Sequence, residues 1–551
     1  MDQQPPPVTI PVSGTDIVRR IERLNDIGIA LSAERNVNRL LEIILLGAKE
    51  LTNADAGTMY SVTDHHTLKF EILRTDSLGI AMGGTTGIPI NFPELPLYKN
   101  GQPNLQMIAA FSALQRTTVN IPDAYEAEGF DFSGTRAFDQ RTHYRSKSFL
   151  TVPLKNHENE IIGVLQLINA KDANTQEIVA FSEEYQKLAE SLASQAAIAL
   201  TNQKLISDLK ALFESFIQAI ASAIDDKSPY TGGHCHRVPV LAEMLGQAVN
   251  DCEEGPIKEL RFSDEQMYEL KIAAWLHDCG KVVTPTEVVD KGTKLETIFD
   301  RIHLIDTRFE VLKRDVEIAF LKEKLAALQN RVPPEIIRVM EEEFHAELTR
   351  IDADREFLRE TNIGGEFMSP QRQDRVRAIA RRRFVDANGQ ERPFLSDNEV
   401  YNLNIPKGTI TPEERQIINN HVSATIKMLD AIPFPKHLKQ VPEIAGGHHE
   451  QINGQGYPKG LTGDQMSIQA RMVAIADVFE ALTARDRPYK KGKTLSSSLQ
   501  ILGFMKKDGH IDPDLFKLFI DKKVYLEYAQ EYLSPEQIDE VNPEKIPGYV
   551  P

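Results

Sequence analysis

Cysteine is scarce. Cys235, Cys252 and Cys279 are the only three in 551 residues, too few and too unevenly spaced for a disulfide framework, so reduced thiols are expected. Long apolar runs are missing too. None approaches the ~20 residues that span a bilayer, and the opening MDQQPPPVTIPVSG lacks the basic-then-apolar order of a secretory signal. No membrane span and a cytoplasmic location are the expectations. Positive charge is in deficit: 63 Lys and Arg against 80 Asp and Glu leave a formal net charge of −17. Affinity for long nucleic acid comes from Lys and Arg that release counterions from phosphates, so no nucleic-acid polymer is expected as a partner. If the ligand is a phosphate ester, its positive partners must be local, as metals or a few well-placed cations.

What is present suits a globular chain of two or more domains, with 41% hydrophobic residues. Residues 1–20 are Pro-rich and polar and read as a disordered tail. Leu24, Ile27, Leu31, Leu40, Ile43 and Ile44 then recur at helical spacing and predict two amphipathic helices. Between about Gly57 and Ala170 the runs shorten and alternate. FLTVPL and IIGVLQLINA, separated by the polar KNHENE, predict a hairpin in an antiparallel sheet. The helical period returns over 183–224, where Leu205, Leu209, Leu212 and Phe216 fall three and four apart. This segment is either a parallel coiled-coil linker that makes a homodimer or a single helix docked on its own domain.

The stretch FDQRTHYRSKSFLTVPLKNHENEIIGVLQLINAK, followed by FSEEYQKLAESLASQAAIAL, resembles the second half of a GAF domain, and especially those of cyclic-nucleotide phosphodiesterases. The resemblance implies an α+β sensor domain over 21–200, an antiparallel sheet with helices. Its pocket would take a cyclic nucleotide or another small ligand, with Phe138, Asp139, Thr142 and Tyr144 as candidate contacts. Many such domains only dimerise.

Histidine and carboxylate motifs crowd the C-terminal half. A dinuclear hydrolytic centre needs roughly five to eight such side chains converging from several helices, with one carboxylate able to bridge. The chain offers His234 after Gly233, His277-Asp278 in WLHDCGK, His421 in NNHVS, the pair His448-His449, and Asp477 in IADVFEAL. Each alone is more often an ordinary polar residue; the combination is not. His277-Asp278 follows the apolar IAAWL, so both should project from a helix end into an enclosed site, where an unpaired carboxylate is costly and a cation is favoured. Cys235 and Cys279 flank these positions and read as small buried residues.

The order His, His-Asp-x-Gly-Lys, His, His-His-Glu with Gly-Tyr-Pro, Ala-Asp, Arg-Pro-Tyr-Lys resembles the HD-GYP family over about 215–292 and 406–515. The resemblance implies an all-α HD-type phosphohydrolase domain over 215–551 that hydrolyses a cyclic dinucleotide, above all cyclic di-GMP, with divalent transition metals of iron or manganese type. It assigns His234, His277, Asp278, His421, His448, His449 and Asp477 as ligands, with Asp278 bridging. Asp278 and Lys281 carry the chemistry. Lys281, Arg487, Lys490, Gly456, Tyr457 and Pro458 contact substrate. Cyclic GMP-AMP, a nucleoside phosphate, or binding without catalysis are the alternatives.

Two departures from the family pattern stand out. Three-metal members carry a Glu four residues before the first His; here Tyr230 takes its place, so two metals are expected and a linear dinucleotide is the expected main product. From His277 to His421 is 421 − 277 = 144 positions, which an insertion over 293–405 explains. Four-three alternation on either side of Pro333-Pro334 predicts a helical hairpin in it, a packing or dimer arm rather than a lid. Its basic RVRAIARRRF reads as a solvated face or a docking patch for a partner.

Overall fold

Asn36 accepts a hydrogen bond from the backbone N–H of Arg39, and this cap separates the first two helices, α1 (Gly14–Ala33) and α2 (Val37–Thr52). The computed structural model describes residues 14–227, 233–386, 388–484 and 492–550. Most of the expected tail lies outside them, and helix begins at Gly14, ahead of the Ile21 boundary. The chain divides into two compact units, 1–213 and 214–551.

The first unit is built on an antiparallel sheet. Its strands are β1 (Ala54–Val62), β2 (Thr67–Thr75), β3 (Ile80–Gly83), the short β4 (Leu95–Pro96), β5 (Tyr98–Lys99) and β6 (Gln102–Pro103), then β7 (Val119–Ile121), β8 (Phe149–Lys155), β9 (Ile161–Lys171) and β10 (Ile178–Val179). The main order is β3-β2-β1-β9-β8-β7, with β5-β6 a separate ribbon. The hairpin expected from FLTVPL and IIGVLQLINA is β8-β9, in the register Val152↔Leu165. Two-residue alternation sorts its faces. Leu150, Val152, Leu154, Leu165 and Leu167 pack with Leu40, Ile44 and Leu45 of α2 and with Ala189, Leu192 and Ala196 in one buried core. The opposite face carries Phe149, Thr151, Val164, Gln166 and Ile168, and α3 (Ile108–Gln115) and α4 (Ser133–Thr142) lie in the chain between β6 and β8. A single 45-residue helix, α5 (Glu183–Lys227), follows.

The second unit is helical: α6 (His234–Asn250), α7 (Asp264–Leu276), a 3-10 turn (Cys279–Val283), α8 (Thr286–Val289), then, beyond the insertion, α13 (Pro412–Asp430), α14 (Val441–Gly446), α15 (Ile468–Thr483), α16 (Leu495–Lys507), α17 (Pro513–Asp521) and α18 (Val524–Tyr532). The second half of α7, from Glu269 to Leu276, and α15 are mostly buried. The insertion holds the expected hairpin, α9 (Ile302–Gln329) and α10 (Pro334–Ile363), followed by α11 (Pro370–Ala380), the ribbon β11 (Arg383–Val385) and β12 (Glu391–Pro393), and α12 (Asp397–Leu403). It has its own core, in which Ile305, Phe309, Ile351, Leu358, Val376, Phe394 and Leu403 are buried together. Its basic run is largely neutralised within the insertion: Arg375 pairs with Asp354, Arg377 with Asp374, and Arg382 with Glu347 and Asp354. Among the described residues no helix is long and apolar enough to cross a membrane.

Candidate metal centre

Five helices deliver their His and Asp side chains to one buried point. His234 opens α6, His277 and Asp278 end α7, His421 sits within α13, His448 and His449 follow α14, and Asp477 lies on the third turn of α15. His277, Asp278, His421 and His448 are each at most 2% exposed. The insertion separates these segments in sequence without separating them in space.

The backbone sets which nitrogen faces inward. Nδ1 of His277, His421 and His448 lies 2.6 Å from the carbonyl oxygens of Ala274, Ile418 and Ala445, each three residues back. Nδ1 therefore holds the proton in each ring and Nε2 is left as the acceptor, the tautomer a metal ligand requires. His234 uses its Nδ1 on Glu480 Oε2 instead.

Asp278 divides the donors into two sets. Its Oδ2 stands 3.4 Å from His234 Nε2 and 3.3 Å from His277 Nε2, and Asp477 Oδ1 is 3.3 Å from that same His234 nitrogen. Its Oδ1 stands 3.2 Å from His421 Nε2 and 3.9 Å from His448 Nε2, on the side where His449 also lies. Ligands ~2.1 Å from a shared cation stand about 3.0–3.5 Å from each other, and all of these separations but the 3.9 Å to His448 fall in that range. Asp278 Oδ1, His421 Nε2 and His448 Nε2 are also buried without a hydrogen-bond partner. Such orphans are costly unless something not made of protein satisfies them. The cluster has the donors to hold a metal ion on each side of Asp278.

Electrostatics points the same way. Burial would raise the Asp278 and Asp477 carboxyls, but Lys281 holds the first well below the usual carboxylate range, and His234 does the same for the second. Both carry full negative charge at neutral pH. Burial pushes His449 down to about 4 and His448 well below its usual value, so both imidazoles keep their lone pairs free. Burial likewise raises the Cys279 thiol to about 11 and Cys235 well above its ordinary value, and both stay protonated, buried and inert.

Close approach makes two glycines necessary here. A Cβ on Gly280 would lie 2.0 Å from the His421 carbonyl oxygen, and one on Gly456 would lie 2.3 Å from the backbone N of Gln451. Gly280 thereby lets the 3-10 turn sit against α13, where its N–H donates to Thr425 Oγ1 at 2.9 Å. Lys281 is carried by this turn, and its ammonium donates to Asp278 Oδ2. Gly456, Tyr457 and Pro458 form the loop beside His449, whose ring stacks on Tyr457 at 4.9 Å. Arg487, Lys490 and Tyr230 lie outside the described residues.

Two supporting carboxylates are not among the site residues expected from the sequence. Glu450, 1% exposed, accepts from the N–H groups of Lys459 (2.7 Å) and Leu461 (2.9 Å) and so folds the loop that bears Tyr457. Glu480 accepts from His234 with one oxygen and from Arg237 Nε, at 2.7 Å, with the other. Burial would raise Glu480, but His234 and Arg237 keep it ionised. Glu480→Ala is expected to weaken metal affinity about 10- to 100-fold by freeing the His234 ring. Competitive titration of Mn²⁺ against a chelating dye measures this; wild-type affinity would remove Glu480 from the metal centre.

The first unit holds a cavity of about 300 Å³ against the outer face of its sheet. Phe70, Phe92, Phe138, Tyr144 and Phe149 line it, with Thr58, Gln166 and Arg141 as polar groups. Two of the four expected contacts are not among the lining residues. Asp139 is buried and accepts from Tyr125 Oη, Ser146 N and Ser146 Oγ at 2.7–2.8 Å, and Thr142 Oγ1 donates to the Phe138 carbonyl of its own helix. Both are consumed in fixing the end of α4, because a short helix followed by a turn must satisfy its own polar groups.

Comparison with known proteins agrees with this architecture. Residues 36–200 match the GAF domain family and residues 397–515 the HD domain family. The chain is 36% identical over 118 residues to a cyclic di-GMP phosphodiesterase of Pseudomonas aeruginosa, covering 21% of this chain and 27% of that one. It is 35% identical over 112 residues to a 3′3′-cGAMP-specific phosphodiesterase of Vibrio cholerae, covering 20% and 23%. A dual 3′,5′-cyclic-AMP and -GMP phosphodiesterase of Takifugu rubripes is 34% identical over 100 residues, covering 18% and 10%. The matched stretch thus spans about a quarter of the length of the two bacterial relatives. The chain contains a GAF domain followed by an HD domain that bears the HD-GYP motif string.

Proposed function

We propose that the HD domain hydrolyses a cyclic dinucleotide at a two-metal centre formed by His234, His277, Asp278, His421, His448, His449 and Asp477, with Asp278 shared. The observation that carries this proposal is the division of donors about the two Asp278 oxygens, with three of the buried atoms left unsatisfied. When bound, a pair of iron or manganese ions supplies Lewis acidity and an activated water at neutral pH. The chain's own groups do the rest. Lys281 holds positive charge beside Asp278, where it stabilises the charge that develops on the phosphoryl oxygens. Tyr457, fixed by its stack on His449, and its neighbours Gly456 and Pro458 border the substrate; Arg487 and Lys490 add phosphate contacts. Water attacks phosphorus in line, the 3′ oxygen leaves, and the ring opens to a linear dinucleotide.

Cyclic di-GMP is the first candidate substrate. The 3′3′-cGAMP-specific relative matches about as well as the cyclic di-GMP one, which makes cyclic GMP-AMP the alternative. Hydrolysis rates of the purified protein on both dinucleotides decide between them. Hydrolysis of neither, by protein carrying two metals, would leave a binding switch.

The GAF cavity, with one guanidinium among aromatic rings, suits a small ring-bearing anion such as a cyclic nucleotide, whose occupancy regulates the HD domain. Helix α5 serves as the dimer seam. Leu205, Leu209, Leu212 and Phe216 repeat at coiled-coil spacing and are 48–64% exposed in the single chain. Leu205→Asp combined with Leu212→Asp is expected to yield monomers that keep their metal, as read by analytical sedimentation. A monomeric wild-type protein would contradict the dimer.

A further inference from the structure

The last turn of α5 grips the backbone on both flanks of the first half of the metal cluster. Asp225, 5% exposed, stands with Oδ1 at 3.3 Å and Oδ2 at 3.2 Å from the backbone N–H of Cys235, the residue after His234. Helix α6 needs that acceptor: Gly233 occupies its N-cap and has no side chain to offer the first N–H groups. Two residues on, Lys227 Nζ donates to the carbonyl oxygens of Lys281 (3.0 Å), Val282 and Thr284 (2.6 Å). These carbonyls close the 3-10 turn that follows Asp278, and an ammonium at the negative end of a helical turn is favoured. Ser222 Oγ, one turn earlier, lies 3.0 Å from His236 Nε2.

The two contacts bear on different elements. Asp225 fixes the start of α6, and with it His234; Lys227 fixes the turn whose side chain, Lys281, meets Asp278. Nothing in either local sequence ties these elements together, since 225 and 227 reach partners 10 and 54 to 57 positions away.

We infer that Asp225 and Lys227 are positioning residues of the metal centre, and that the end of α5 acts as a clamp whose seating sets how well His234 and Asp278 hold metal. Rotation or sliding of α5 by a fraction of a turn breaks both contacts at once, because both side chains belong to one rigid turn. A signal that arrives along the helix is thereby converted into a change in metal affinity and in the placement of Lys281. This inference rests on the proposal that residues 214–551 form a metal-dependent hydrolase.

The test is the Mn²⁺ dissociation constant of the full-length chain, by competition with a chelating dye, for Asp225→Ala, Lys227→Met and the conservative Asp225→Asn and Lys227→Arg, with hydrolysis of cyclic di-GMP measured alongside. Asp225→Ala and Lys227→Met are expected to weaken Mn²⁺ binding tenfold or more, and the conservative pair to recover most of it. Lys313→Met, which removes an ion pair with Asp352 inside the insertion, is expected to change nothing. Should Lys227→Met fail to fold, Lys227→Gln keeps one donor and carries the comparison. Wild-type Mn²⁺ affinity in the alanine and methionine variants, or an equal loss in all four substitutions, overturns the clamp. Failure of the hydrolase proposal shows differently, as wild-type protein that binds Mn²⁺ but releases no product.

Discussion

Asp278→Asn is expected to strip the centre of metal and to cut turnover by at least about a thousandfold, the rate equivalent of several kcal/mol of lost metal-ion stabilisation. Both oxygens of this carboxylate face imidazole nitrogens, Oδ2 toward His234 and His277 and Oδ1 toward His421 and His448. Asparagine keeps the shape but turns one of those oxygens into an NH₂ group, which repels a cation on that side. It also removes the negative charge that offsets two cations, and it leaves the Lys281 ammonium without its partner. The expected result is fewer than one metal ion per chain by elemental analysis, with no detectable product. A variant that keeps two ions would show that Asp278 is not shared.

Lys281→Met should behave in the opposite way with respect to metal. Its ammonium is not a metal ligand, and the methionine side chain fills a similar volume without charge. Two ions per chain are expected to remain while kcat falls about 10²- to 10³-fold, the usual cost of losing one preorganised group that stabilises transition-state charge. Burial would lower the Lys281 pKa, but Asp278 and Asp477 outweigh it and raise it above the ordinary value. The group therefore stays cationic across the physiological range. It acts by charge rather than by giving up a proton, so the pH dependence of the wild-type enzyme should not contain a lysine limb. An unchanged kcat would take Lys281 out of the mechanism.

Much of the scaffold could be read from residue pattern alone because it rests on local rules. The hairpin β8-β9 is an alternating pair of runs around a polar turn, and the arm α9-α10 is two periodic stretches around Pro333-Pro334. The convergence of His and Asp side chains is legible for a different reason: His and Asp in apolar surroundings need an explanation, and a string of such motifs limits the explanations. What stayed hidden depends on partners far away in the chain. Glu480 reads as one more acid on a helix until His234, 246 positions earlier, is placed beside it. Glu450 stands in a motif, yet its role as acceptor for Lys459 and Leu461 follows only from the fold of the loop. Asp139 is the reverse case. It stands in a motif associated with a ligand, yet three nearby donors claim its carboxylate. The basic run 375–384 reads as a solvated face or a docking patch, and what its letters do not show is that carboxylates on α10 and α11 answer several of its charges.

Metal content and cyclic di-GMP hydrolysis, determined on one anaerobically purified sample before chelation, after chelation, and after Mn²⁺ or Fe²⁺ is restored, bear on the two-metal site more closely than any variant. Two transition-metal ions per chain and release of a linear dinucleotide are expected, both lost with the chelator and both recovered with the metal. Hydrolysis that persists in metal-free protein, or a chain that cannot retain two ions, would contradict a centre organised around Asp278.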